Sequence, residues 1–346
     1  METIQILLQQ PIQPIQLSVP SALGVSQRIW LVPAESQSRQ FTVRTASKRV
    51  VEPEEIQARH YWGILEGELA GTVALSIFPE EVMATISTTE GNQVIAAVDG
   101  RNDRLHIIYN DRELGQVHAL DCGVDENTAA ARELQIDTKS LLNRDPNKCV
   151  LMYVEADNDI FQDKGSVGAT VGYVTGLFNQ VSLMFFNETI KLKLHDLVVW
   201  DTRDPYTGSS TSAYLSQFRD QVGADFNGDL AHLVGYQGGG GIASLDVLCR
   251  KSRGHAYSGV GRTFQEIPTY SWSVNVVTHE IGHNLGSRHT HDCVWNGNRT
   301  AIDRCGIQAG YGSNGPCNSS APIPPAGTVM SYCHLVGGSG VDLALG

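Results

Sequence analysis

The sequence lacks the features of membrane-spanning and nucleic-acid-binding proteins. No apolar run approaches the roughly 18 residues that cross a bilayer; the longest are pieces such as residues 181–186. Basic residues are outnumbered, since 25 Lys and Arg stand against 37 Asp and Glu, for a formal net charge of −12. Binding to nucleic acid through phosphate contacts is therefore disfavoured. The first ten residues also lack the basic and apolar regions of a secretory signal.

The length of 346 residues suggests two domains, at about 150 residues for each domain. Residues 1–120 hold short apolar runs separated by Gly, Asn and Asp, a pattern typical of a β-meander or sandwich. Residues 125–148 are polar and Ala-rich and read as a linker. Beyond the linker, strand and helix patterns alternate, which predicts a layered α/β domain with a mostly parallel sheet.

Residues 271–285 carry the strongest helix pattern of the second half. Ser271 or Ser273 offers an N-cap, and apolar residues recur at helical spacing up to Leu285. Gly286 follows at the position where helices commonly end in the left-handed conformation. The pattern predicts a helix that stops at a turn.

A cluster of histidines lies on this helix and just after it, in the pattern H-E-x-x-H-x-x-G-x-x-H. His279 and His283 are four residues apart, so both rings leave one face of the helix, and the turn at Gly286 returns His289 toward them. Three imidazoles leave a tetrahedral zinc ion a fourth position for water, whose pKa the metal lowers. Glu280, beside the first histidine, is placed to act as general base. The alternative is a set of ordinary surface or core histidines.

Other ligand sets can be tested within the sequence. No Glu follows Glu280 anywhere in the chain, so a zinc site with a downstream Glu ligand is eliminated. Asp292 or Asp303 could supply an Asp ligand, and His291 is a further candidate. The spacing after the helix favours His289 as the third ligand.

These residues resemble the metzincin zinc peptidases, and more narrowly the reprolysin or adamalysin type. The second mark of that clan, a turn that carries Met beneath the metal, is matched by Met330 in the string Gly-Thr-Val-Met-Ser-Tyr. The resemblance implies a zincin-like α/β catalytic domain: a twisted mixed sheet, mostly parallel with an antiparallel edge strand, helices packed on it and a zinc-binding helix. It also implies a zinc metalloendopeptidase with one catalytic Zn²⁺. For Tyr332 it implies a fifth metal ligand or an oxyanion donor, with a packed aromatic residue as the alternative.

A glycine-rich segment resembles the strand that rims the substrate cleft in this clan. It comprises Gly240, Gly241, Ile242 and Ala243. Glycine lets a peptide backbone approach closely and pair as an added strand, so we expect a peptide or protein substrate here. A flexible loop is the alternative. A phosphate-binding loop is disfavoured because no Lys-Ser or Lys-Thr follows.

Cys122 is the one cysteine before the linker, and Cys-Gly-Val resembles the cysteine switch of a reprolysin propeptide. A thiolate on zinc would displace the catalytic water. The resemblance therefore implies a latent zymogen: a β-rich propeptide over residues 1–124, a linker with a processing site over 125–148, and a catalytic domain over 149–346 that is truncated at its C-terminus. A buried thiol or half of a disulfide is the alternative for Cys122.

Six further cysteines all lie in the second half, an even number that suits three disulfides. Fifteen connectivities exist; the arrangement that we favour joins Cys305 to Cys317, Cys293 to Cys333 and Cys149 to Cys249. No two cysteines show C-x-x-C spacing, which disfavours a second zinc site. Disulfides predict a secreted or extracytoplasmic protein.

Two departures from the resemblance concern the metal sites. Thr290 follows the third histidine where adamalysins place Asp, and Asp292 is the residue that could substitute. Leu151 stands where relatives bind structural calcium, so no Ca²⁺ site is assigned. A catalytically inactive metallopeptidase fold used for binding is a second hypothesis, which the intact Glu280 disfavours. A third treats the first domain as a permanent binding module.

Overall fold

The structure is a computed structural model. It describes residues 2–52, 55–68, 71–98, 105–113, 123–125, 148–261, 270–312, 320–337 and 339–343. Cys122, Cys317 and residues 126–147, most of the predicted linker, lie outside these ranges. Among the helices in them, none combines the length and the apolar character that a bilayer crossing requires.

The N-terminal third forms a helix and a seven-stranded antiparallel sheet. Its order is β1-β2-β4-β5-β6-β7-β8. The elements are α1 (Glu2–Gln9), β1 (Ile15–Pro20), β2 (Ser26–Pro33), β4 (Arg59–Leu65), β5 (Thr72–Ile77), β6 (Val82–Thr88), β7 (Gly91–Ala97) and β8 (His106–Asn110). This is the meander that the alternating pattern predicts.

The second sheet also has seven strands, ordered β3-β11-β10-β12-β14-β13-β9. All neighbours pair in parallel except β13 and β14, which are antiparallel. The strands are β3 (Gln37–Thr45), β9 (Gly123–Asp125), β10 (Val150–Ala156), β11 (Leu192–Val199), β12 (Leu230–Gly235), β13 (Gly241–Ser244) and β14 (His255–Gly259). The mixed, mostly parallel α/β sheet agrees with the prediction. Strands β3 and β9, however, come from the N-terminal third and cover both edges, which the sequence analysis did not predict.

The described residues of the second half of the chain form five helices. They are α2 (Asn158–Lys164), α3 (Val167–Asn187), α4 (Thr211–Val222), α5 (Tyr270–Asn284) and α6 (Cys305–Gln308). Side-chain caps begin three of them: Asp157, Ser166 and Ser210 each accept a hydrogen bond from a backbone N–H three residues on.

Helix α3 lies between the two sheets. Its residues 170–185 are buried on every side, as expected for a helix enclosed by two layers. One hydrophobic cluster joins it to both halves of the chain, and includes Val43, Phe78 and Met83 from the first third and Val154 from β10. The two sheets therefore share a core.

Helix α5 begins earlier than the sequence analysis predicts. Ser271 and Ser273 lie inside it, so neither is its N-cap. The predicted end is close, since the helix stops at Asn284 and Gly286 adopts φ +103°. There the N–H of Gly286 bonds to the carbonyl of His283, and that of Ser287 to the carbonyl of Gly282. The chain reverses direction at this turn and runs back along the helix.

Candidate metal centre

Three histidine rings converge at the C-terminal half of α5. His279 and His283 leave the same face of the helix, and their Nε2 atoms lie 3.1 Å apart. His289, returned by the Gly286 turn, places its Nε2 3.2 Å from that of His283. All three residues are buried. The structure thus brings together one ligand atom from each of the three predicted metal-binding residues.

In two of the rings, the nitrogen that points away from the centre makes a hydrogen bond. This bond determines that the nitrogen facing the centre is an acceptor. His279 Nδ1 donates to the carbonyl of Val329, and His283 Nδ1 donates to that of Ser287, each at 2.8 Å. A carbonyl only accepts, so each Nδ1 carries the proton and each neutral ring has a lone pair on Nε2. Burial lowers the pKa of His279 to about 4, which keeps its ring neutral at pH 7.

The inward-facing lone pairs are suited to binding a cation. Two unprotonated nitrogens 3.1 Å apart repel each other unless a positive ion lies between them. Tetrahedral zinc with ligand distances of 2.0–2.1 Å holds its nitrogens about 3.3 Å apart, close to the separations observed. Neutral imidazoles whose other nitrogen donates to a carbonyl are also the usual zinc donors. The residues therefore fit one zinc ion.

Glu280 lies beside His279 on α5 and is fully buried. Its side chain passes directly over Gly241 of β13, where a Cβ atom would overlap Oε1 of Glu280. A side chain at position 241 would therefore displace this carboxylate. Gly241 was predicted from the sequence to allow the approach of substrate; the close approach of Glu280 is a second reason for glycine, which the sequence did not reveal.

Met330 lies beneath the helix. A Cβ atom at Gly282 would be 2.7 Å from its sulfur, so the helix approaches the methionine closely only because this residue is glycine. The residue before it, Val329, accepts the hydrogen bond from His279. The carbonyl of Met330 accepts from the N–H of Thr290, next to the third histidine, at 3.2 Å. One turn thus holds both the first and the third histidine in place.

Comparisons with known proteins identify the family. A sequence model of the reprolysin group, described as metallo-peptidase family M12, matches residues 145–333, more than half of the chain. The chain belongs to metallo-peptidase family M12.

The zinc metalloproteinase-disintegrin-like atrase-B of Naja atra is 25% identical over 224 residues, 54% of this chain. Those residues are 34% of that protein, so the chain spans about a third of its length. Metalloproteinase-II from Bacteroides fragilis superposes with a TM-score of 0.48 and 11% identity, covering 86% of this chain and 90% of that one.

Behind the third histidine of this M12 domain, a second ring supports it. His291 stacks on His289 with ring centres 5.0 Å apart and planes 9° from parallel. Gly306 makes the room, since a Cβ atom there would overlap the ring of His291. Asp292 Oδ2 lies 3.9 Å from His289 Nδ1. From the sequence, Asp292 was predicted either as a ligand or as the substitute for the Asp of adamalysins, whereas His291 was considered only as a competing ligand; the H-T-H-D string is the signal that could have suggested a supporting role for His291.

Tyr332 completes the wall of the centre. It is almost fully buried, and its hydroxyl oxygen lies 3.2 Å from His289 Nε2. Its ring also packs against His291, with ring centres 5.0 Å apart. The hydroxyl therefore lies beside the histidine nitrogens, in reach of any group bound there.

The predicted disulfides of the M12 domain are wrong. Cys305 bonds to Cys333, whose Cα atoms are 4.8 Å apart, instead of Cys305 to Cys317 and Cys293 to Cys333. Cys149 and Cys249 are both free thiols. The order of residues in the sequence does not show that α6, which begins at Cys305, packs beside Cys333. This contact determines which cysteines form the disulfide. Cys293 is disulfide-bonded, so disulfides as such were correctly predicted.

The predicted substrate strand lies beside Glu280, but it is not at the edge of the sheet. Gly241, Ile242 and Ala243 belong to β13, and the carbonyl of Gly240 just before it accepts from the N–H of Gly259 at 2.6 Å. Strand β9 pairs in parallel with the outer side of β13, Gly123 opposite Ile242. Cys122, the residue before β9, is outside the described residues.

Proposed function

We propose that this protein is a zinc-dependent endopeptidase in which His279, His283 and His289 hold the metal and Glu280 is the general base. The observation that carries the proposal is the pair of inward lone pairs on His279 and His283, 3.1 Å apart, beside a buried carboxylate. A fold kept only for binding would have no need of this carboxylate. Family membership supports the same chemistry.

Each residue of the site has a distinct task in peptide hydrolysis. Zinc in such a site supplies Lewis-acid chemistry, lowering the pKa of water and polarising a carbonyl. Glu280 takes the proton of the attacking water on its carboxylate and delivers it to the nitrogen of the leaving amine. The hydroxyl of Tyr332 donates to the oxygen that becomes negative at the tetrahedral stage. Met330 and Gly286 fix the positions of the histidines.

The substrate is an extended peptide that adds to the outer side of β13. Gly241 to Ala243 offer backbone groups to it, and Gly241 leaves the space that Glu280 occupies. Strand addition is a common way for a sheet edge to bind a peptide with little dependence on side chains.

The N-terminal third acts as an inhibitory propeptide, and the protein is a secreted zymogen. Strand β9 occupies the outer side of β13, so a substrate cannot pair there until β9 leaves. Cys122 precedes β9 directly, which supports a thiol ligand to the same zinc in the latent form. The disulfide Cys305–Cys333 supports an oxidising compartment.

Once the linker has been cut, the protein is expected to hydrolyse a mixed peptide library, and removal of the metal is expected to abolish this hydrolysis. A chelator should stop cleavage, and Zn²⁺ should restore it, whereas Mg²⁺ should not, because neutral imidazoles favour zinc over magnesium. The measurement is product formation by mass spectrometry, with bound zinc determined on the same samples. If the zinc-loaded protein cleaves nothing in the library, the binding-protein hypothesis is preferred.

Cys122→Ser is expected to give the uncut chain activity, because without the thiol ligand β9 is held to β13 by strand pairing alone and can leave it while the linker stays intact. Cys249→Ser is the matched control, since Cys249 is an exposed free thiol, and this variant should stay latent. Activity of uncut and cut samples is compared with one fluorogenic peptide mixture. An uncut Cys122→Ser chain as latent as the unmodified one would show that another contact blocks the site.

A further inference from the structure

We propose that the N-terminal sheet stays bound to the M12 domain as a non-covalent subunit after the linker is cut. The partner that packs against α3 and pairs with the edge of β11 is this chain's own N-terminal fragment. The inference rests on the proposed function only for the cut within residues 126–147. Release of β9 from the substrate strand and release of the whole N-terminal fragment are then two separate events. In a propeptide that dissociates after cleavage, they would occur together.

The first support is strand β3, which is built into the sheet of the M12 domain. It pairs in parallel with β11 at Gln37 and again from Thr42 to Thr45. Backbone bonds continue past the strand at both ends: the N–H of Leu194 donates to Ser36 and that of Ala46 to Val199, each at 2.9 Å. Loss of the fragment would expose the row of polar groups along β11, an edge prone to wrong pairing.

Side chains reinforce this junction. Asp196 on β11 accepts from Thr42 Oγ1 at 3.0 Å and pairs with Arg44 Nη2 at 3.0 Å. Asp196 itself is buried, while half of the Arg44 side chain is exposed, so the pair adds specificity more than stability. The ring of His195 on β11 bonds to the hydroxyl of Ser38 at 2.7 Å.

The second support is the fit of α3 into the first sheet. Gly176 leaves room for Met83 and Phe78, since a Cβ atom at position 176 would overlap the sulfur of Met83 and crowd the ring of Phe78. Apolar side chains of the fragment thus reach the helix backbone. This face of α3 is therefore shaped to pack against the N-terminal fragment, and not to be in contact with water.

Two polar side chains at the same interface, those of Trp62 and Asn179, donate hydrogen bonds across it. The indole N–H of Trp62 donates to the carbonyl of Asn179 at 3.0 Å. The amide of Asn179, fully buried, donates to the carbonyl of Leu75 and to Ser76 Oγ, each at 3.1 Å. Buried hydrogen bonds of this kind fix one docking geometry, since an unpaired buried group is costly.

The contacts extend to the end of the described chain. The amide of Asn92 on β7 donates to the carbonyl of Val341 at 3.1 Å, and its carbonyl accepts from the N–H of Leu343 at 3.2 Å. By contrast, the part of β9 that the structure describes pairs with β13 through three residues. A cut in the linker therefore frees the short strand over the substrate site far more readily than the sheet that shares the core.

The test uses the full chain with a site for a sequence-specific protease inserted between Gln135 and Ile136. The chain also carries Glu280→Gln, so that the result does not depend on peptidase activity. After cutting, size-exclusion chromatography and native mass spectrometry at physiological salt should give a single species containing both fragments in equal amounts. Separate elution of the N-terminal fragment in that buffer would overturn the proposal and leave the proposed chemistry untouched.

A matched pair of variants tests the interface itself. Trp62→Phe removes the indole bond to Asn179, whereas Trp30→Phe changes a tryptophan that is half exposed on the neighbouring strand β2. In the cut protein, urea should release the fragment at a lower concentration for Trp62→Phe, and at an unchanged one for Trp30→Phe. Equal midpoints for both variants and the parent would contradict the assigned interface.

Discussion

Glu280→Gln is expected to lower kcat/KM for peptide hydrolysis by about a hundred- to ten-thousand-fold, the range that general acid–base catalysis supplies. Glutamine has nearly the shape of glutamate and fits the same space over Gly241. It cannot accept and return a proton, so the loss falls on chemistry and leaves the histidines in place. Bound zinc should stay at one ion per chain, as measured by atomic absorption on the variant.

The control for this change is Glu188→Gln. Glu188 lies at the exposed end of α3, so the same loss of a carboxylate there should leave both turnover and zinc content unchanged. Full turnover by Glu280→Gln would refute the assignment of Glu280 as base. Loss of both turnover and zinc would instead show that Glu280 acts through the metal site.

Much of the candidate site follows from local spacing. His279 and His283 are four residues apart on one helix, and a helix brings such positions onto one face wherever it lies in the fold. Gly286 similarly fixes the direction of the next few residues through its own backbone. These inferences need no long-range information, which is why the motif alone indicates where the rings converge.

The parts that sequence could not predict depend on contacts between distant segments. The pairing of Cys305 with Cys333 follows from the packing of α6 beside the turn after Met330. The insertion of β3 next to β11 depends on register between strands about 150 residues apart. A period-two pattern shows that a strand forms, but it does not say which strand is its neighbour.

The close approach of Gly241 to Glu280 combines both kinds of information. Glycine at a strand suggested an approach by another backbone or ligand, yet the group that fills the space is a side chain of α5. The position of the Glu280 carboxylate thus depends on the missing side chain of Gly241. In the proposed function this connects binding to chemistry, because a peptide added to β13 would lie against the residue that leaves space for the base.

His289→Ala is expected to weaken zinc binding far more than His291→Ala, which decides between the two candidate third ligands. His289 contributes a nitrogen 3.2 Å from that of His283, whereas the ring of His291 stacks on the ring of His289, behind the centre. Loss of a group that supports a ligand costs roughly 10- to 100-fold in metal affinity, so His291→Ala should stay within that range. His289→Ala removes one of three donors and should exceed it.

Competition with a chromophoric zinc chelator gives both dissociation constants, and circular dichroism of the metal-free variants checks that each is folded. Because the two histidines are two residues apart and both buried, each variant is the other's control for damage to packing. A reversed order of the two affinities would make His291 the ligand. Equal losses would mean that the stacked pair acts as one unit, and that the third position of the centre depends on Gly306 leaving room for both rings.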